Sequence, residues 1–261
     1  MAWESSWVTT GYTGGMRQGG EQQRGGKGLF LEGAAGDIGP RAGYTGDLPT
    51  YRRMGRILGL EASSVASNMD TLPRRERYVG VLQSGAPIGL YVDEPVEPEA
   101  PVLRMATRTL ALPLRKLRPL DEREAQAKQS REELMRVRES GTVEEIRAAT
   151  ARSTQANWQA DMGRSYAEKT TVDWEMQCIR VGSVAFLSCQ GEPFLEISQR
   201  ILADSPFTHT LFSGYSNGAF GYLPTRQAFE EGGYEIDASP FAHDSADILV
   251  AGGLRLVNDM A

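Results

Sequence analysis

The chain has 261 residues, 40% hydrophobic and 24% charged, with a formal net charge of -6. This is the make-up of a globular protein long enough to bury a sizeable core as one large domain or two small ones. The acidic balance implies no basic face for nucleic acid, and no apolar run approaches the roughly 18 residues of a membrane span. The opening MAWESSWVTTGYTGG lacks the basic start and apolar stretch of a signal peptide, so export by the usual route is not expected of the chain as written.

Residues 1–28, rich in Gly, Gln and Ser, read as a loosely ordered lead, with the main body at 29–261. A short strand is expected at 28–31. It feeds FLEGAAGDIGPR, where small residues let a backbone or a ligand come close. In that turn Asp37 either bonds its own backbone or faces a ligand at the sheet's edge. Met54, Ile57, Leu58 and Val65 are spaced for a helix over 50–66. Strands follow at 77–83, 87–92 and 102–112, with the Pro- and acid-rich DEPVEPEAP as a surface loop.

A helix charged nearly all round is expected at 121–140 and a second at 143–169, opened by a Thr142/Glu145 capping box. The two should form an outlying hairpin with few contacts to the sheet. Cys178 and Cys189 flank a predicted hairpin turning at Gly182-Ser183. That register sets Cys178 opposite Leu187 and Cys189 opposite Met176, leaving the cysteines diagonal, about 7 Å apart and poorly placed to bridge. Glu192 leaves this strand ahead of a helix from about 193 to 203, where a carboxylate gains from the helix dipole or could serve as a metal ligand. Glu196 is spaced to pair with Arg200. A strand at 207–213 precedes the loop GYSNGAFGY, and a closing helix starts at Asp244 or Ser245. The alternation gives an α/β class: a mixed sheet flanked by helices, with an outlying charged helical hairpin.

Three segments occur together and in order: GAAGDIGPR, GEPFLEISQRI and GYSNGAFGYLPTRQAFEEGGYE. As a set they resemble the neutral/alkaline non-lysosomal ceramidase family from about Leu29 to the C-terminus, most closely its compact bacterial relatives. The resemblance implies the C-terminal half of a zinc hydrolase that cleaves the amide of N-acyl-sphingosine, and hence a lipid-like amide substrate. The family is often secreted or surface-associated. By the same resemblance, Glu192 and Tyr222 take the places of the family's glutamate and tyrosine metal ligands. Tyr234 takes that of a tyrosine assisting catalysis, and Gly36 and Asp37 form a pocket wall.

Two departures are evident. The family's two metal histidines lie in an N-terminal half to which this sequence has no counterpart, and His209 and His243 lack their context. Gly39 and Arg41 replace a serine and an asparagine of the family's Gly-Asp-x-Ser-Pro-Asn segment. Two readings result: a ceramidase-like hydrolase incomplete as written, or a non-catalytic truncated or split remnant that works only with a separate N-terminal half.

Overall fold

The computed structural model describes residues 10–41, 43, 47–69, 73–97 and 102–261. The chain divides into two compact units, Met1–Leu31 with Gly39–Pro101, and Glu32–Ile38 with Val102–Ala261.

In the first unit, α1 (Gly11–Arg24) packs on α2 (Leu48–Ser67). Part of the stretch read as a loosely ordered lead is thus helical. It shows no apolar stripe because the contact is made by glycine: a Cβ on Gly55 would lie 2.1 Å from the Tyr12 carbonyl, and one on Gly59 2.5 Å from that of Met16. Asp47 caps α2 by accepting from the Thr50 amide at 3.0 Å. The antiparallel hairpin β1 (Arg74–Ser84) and β2 (Ala86–Pro95) completes the unit. The tip of DEPVEPEAP, residues 98–101, lies outside the described residues.

The second unit is built on a four-stranded sheet. Its members are β3 (Leu103–Pro113), β4 (Thr171–Val181) and β5 (Val184–Cys189), with β7 (His209–Ser213) at the far edge. β3, β4 and β5 are antiparallel in order, and β5 pairs with β7 in parallel, so the sheet is mixed as expected. No strand forms at 28–31.

Between β3 and β4 run α3 (Leu120–Ser140) and α4 (Val143–Tyr166), the expected hairpin. The Thr142/Glu145 capping box is formed. The two helices share only a small alanine cluster, Ala127, Ala156 and Ala160. They are tied by Arg164–Glu124 and Arg152–Glu133, both at 2.7 Å. Exposed pairs of this kind contribute little. The hairpin reaches the body through Tyr166, packed on the main core, and Trp158, whose indole N–H donates to the Ala238 carbonyl at 3.4 Å.

After β5 come the two-residue strand β6 (Glu192–Pro193) and α5 (Leu195–Ala203). Past β7 lie β8 (Tyr222–Leu223), α6 (Arg226–Glu231), α7 (Tyr234–Asp237) and the closing α8 (Ser245–Met260). One sheet face is buried: Leu112, Trp174, Met176, Cys178, Ala185 and Leu187 alternate along β3, β4 and β5. α8 lies across them, close enough that a Cβ on Gly253 would meet Ile201 at 2.9 Å and Met176 at 3.1 Å. Arg200 joins α5 to α8 through Asp247 at 2.9 Å, closer than its in-helix partner Glu196 at 4.0 Å.

The hairpin register matches the sequence reading, with Cys178 opposite Leu187 and Met176 opposite Cys189. Both cysteines are free and buried. Burial pushes the Cys178 thiol up and that of Cys189 up to about 12, slightly opposed there by the Trp174 indole N–H. Only the thiolate attacks. Neither cysteine should therefore react with a thiol reagent in the native chain at neutral to mildly alkaline pH, while both should react in denaturant. Native-state labelling of Cys189 would contradict this packing.

Candidate active site

The site forms where β5 and β7 end. Parallel strands leave their carboxyl ends at one edge, the place where open α/β sheets put ligands. From these ends the chain runs into 190–194 and 214–223, and a third segment, Glu32–Ile38, meets them.

The three segments are joined backbone to backbone. The Gly36 amide donates to the Pro193 carbonyl at 3.0 Å, and the Gly214 amide to that of Glu32 at 3.0 Å. The Tyr215 and Ser216 amides donate to the carbonyls of Gly191 and Cys189, each at 2.9 Å. Side chains would prevent this. A Cβ on Gly36 would stand 2.4 Å from the Glu192 carbonyl oxygen, one on Gly191 2.3 Å from the Trp174 ring, and one on Gly214 3.0 Å from the Gly33 carbonyl. The small residues of FLEGAAGDIGPR therefore admit another part of the same chain.

Asp37 does not bond its own turn. Its Oδ1 accepts from the Leu195 amide at 2.7 Å, at the first position of α5. This corrects two expectations. The helix begins at Leu195, not at Pro193, and the carboxylate that satisfies its N-terminus is Asp37 rather than Glu192. Glu192 instead belongs to β6, where its amide donates to Gly221 at 2.9 Å.

β6 pairs in parallel with β8, which sets Glu192 directly beside Tyr222. The Tyr222 ring meets that of Tyr234 edge-on, centroids 5.9 Å apart. Thr225, just after β8, caps α6. Glu192, Tyr222 and Tyr234 thus share one place, with Gly36 and Asp37 against the backbone behind it.

Two further members join them: Tyr215, an aromatic of the glycine-rich loop GYSNGAFGY, and Glu32. Tyr215 hydrogen-bonds Glu192, and burial followed by that bond raises its phenol well above the ordinary value. It is held at φ 53, with Asn217 at φ 60, a conformation rare for bulky residues and often found where structure serves function. Glu32 is raised by burial, then by the charge of Glu192. Carboxylates and phenols perturbed by burial and by one another are typical of functional sites.

As a zinc centre this set does not fit. Catalytic zinc takes three protein ligands and favours nitrogen and sulfur. Glu192 and Tyr222 supply oxygen only, and Tyr215 engages Glu192 as a protonated donor. His209 starts β7, at the opposite end from the site, and His243 packs against the Phe229 ring at 4.6 Å. Among the described residues no group of three or more His, Cys, Asp or Glu could hold a metal ion.

No protein-family model and no curated protein matches the chain. Its fold is similar to two solved ceramidase structures. One is neutral ceramidase from Pseudomonas aeruginosa, at 13% identity and a TM-score of 0.50, over 98% of this chain and 42% of that one. The other is a ceramidase complexed with C2, at 13% identity and a TM-score of 0.52, over 98% and 43%. The likeness is one of fold, and this chain spans less than half the length of either. The ceramidase resemblance carried by the three sequence segments thus extends to the fold.

Two outcomes test the geometry. Gly36→Ala should lower stability by about 1–3 kcal/mol in denaturant melts, since its methyl meets fixed backbone. Glu32→Gln should raise it at neutral pH. An acid whose folded-state pKa is raised costs stability as pH rises above its unfolded value, so the gain should vanish as pH falls below the ordinary carboxylate range.

Proposed function

We propose that residues 29–261 are the C-terminal half of a ceramidase-type catalytic domain, whose complete form hydrolyses the amide of a lipid such as N-acyl-sphingosine. The observation that carries this reading is the pairing of Glu192 with Tyr222 across β6 and β8, with Tyr234 against Tyr222. In this reading Glu192 and Tyr222 are the oxygen half of a zinc site, and a separate N-terminal half brings the imidazoles. Tyr234, 54% exposed, presents its phenol to the substrate and donates to the carbonyl oxygen as it gains charge. Gly36 and Asp37 form the wall behind.

A second reading, a remnant without activity of its own, is favoured by the oxygen-only donor set. A phenol with an unperturbed pKa near ~10 loses its proton to a metal only at a cost. Both readings agree that the chain alone is not a working zinc hydrolase.

The test is a zinc titration by calorimetry with a fluorogenic ceramide assay, on the chain alone and co-expressed with its N-terminal half. Alone, the chain should bind zinc weakly and not turn over. With the half present, affinity and turnover should appear, and Glu192→Ala should remove both. Tyr234→Phe should lower turnover by roughly 100-fold or more while leaving zinc affinity unchanged. Tight one-to-one zinc binding and turnover by the 261-residue chain alone would overturn the proposal. Zinc binding without turnover in the pair would favour the remnant.

A further inference from the structure

A second concavity, of about 680 Å³, lies between the helical hairpin and the segment that follows β3. Its size suits a small organic ligand. In a chain of net charge -6, this cavity is cationic. Arg115, Lys116, Arg118, Arg123 and Arg152 line it, against Glu133 and Asp237.

The carboxylates do not neutralise it. Glu133 is held by Arg152 at 2.7 Å. Asp237 offers Arg115 its backbone carbonyl at 3.2 Å, and its nearby charge favours the guanidinium without forming an ion pair. The other bonds of the central arginines all go to neutral oxygens. Arg115 donates to the Ile236 carbonyl at 2.9 Å and Arg123 to that of Gln159 at 2.7 Å. Arg118 donates to the side-chain oxygens of Gln159 at 2.7 Å and Gln126 at 3.1 Å.

Three guanidiniums are therefore gathered with no carboxylate bonded to any of them. Arg115 and Arg118 both act repulsively on Arg123, which is itself only 4% exposed. The Nε atoms of Arg115 and Arg123 are buried and lack partners. A fold does not gain stability by crowding like charges around a buried guanidinium; a bound anion would turn that repulsion into attraction. Guanidinium forks match the oxygens of a phosphate group two at a time.

We propose that this cavity binds a phosphate-bearing anion, either free in solution or carried by a lipid headgroup. The buried Arg123 and the half-buried Arg115 form its fixed floor, and Lys116 and Arg118 are the exposed residues that close on the ligand. The inference stands apart from the ceramidase reading, since it uses none of that site's residues.

The test uses the full chain with inorganic pyrophosphate by calorimetry, and with phosphatidylglycerol against phosphatidylcholine vesicles by co-sedimentation. Lys116 and Arg118 are exposed, so K116Q/R118Q should fold normally; Arg136→Gln, on the same hairpin but outside the cavity, is the control. Pyrophosphate binding that weakens with salt, is unchanged in Arg136→Gln and falls roughly tenfold or more in K116Q/R118Q supports a free phosphate ligand. Binding confined to phosphatidylglycerol vesicles, with the same loss, supports a headgroup. Binding to neither, or equal binding by K116Q/R118Q and the wild type, overturns the proposal.

Discussion

Everything at the candidate active site depends on backbone reaching backbone without a Cβ between. Gly36 must come close enough for its amide to reach Pro193, and at 2.4 Å from the Glu192 carbonyl no side chain could stand there. That contact delivers Asp37 to the Leu195 amide and closes the N-terminus of α5. With the helix end satisfied from a distant part of the chain, Glu192 is left to lie in β6 beside Tyr222. One missing methyl group thus governs where the carboxylate goes.

The electrostatics follow from this packing. Bringing Glu32–Ile38 against 190–194 also sets Glu32 near Glu192, and burial, then the charge of Glu192, raises the Glu32 carboxyl above its ordinary value. Tyr215 answers part of it by donating to Glu192, at the cost of a backbone conformation rare for an aromatic residue. A site designed only for stability would carry neither a like-charge pair nor a left-handed tyrosine. Titratable groups perturbed in this way are a recurrent mark of functional sites.

Local features were legible in the sequence. The capping box at Thr142, the register of Cys178 and Cys189, and the two charged helices all follow from spacing and composition, because their partners lie within a few residues or across one tight turn. The mixed sheet also follows from the order of strands and helices. What was misread involves distant partners. Gly28–Leu31 has the composition of a strand but pairs with none. Asp37 caps a helix more than a hundred residues away, which no local pattern encodes. α1 lacks an apolar stripe because its contact with α2 is made by glycines and carbonyls. Glu32 and Tyr215 acquire meaning only once three segments converge on Glu192.

The most direct test of the central claim is residue-resolved amide hydrogen exchange at Gly36, Glu192, Phe194 and Leu195, whose N–H groups make the contacts that build the site. The account predicts that all four exchange as slowly as the buried strands β4 and β5, and that Asp37→Ala speeds Leu195 selectively. If Gly36 and Leu195 exchanged as fast as an unstructured peptide while β4 stayed protected, the segment 32–38 would not be docked. The placement of Glu192 beside Tyr222 would then need another cause.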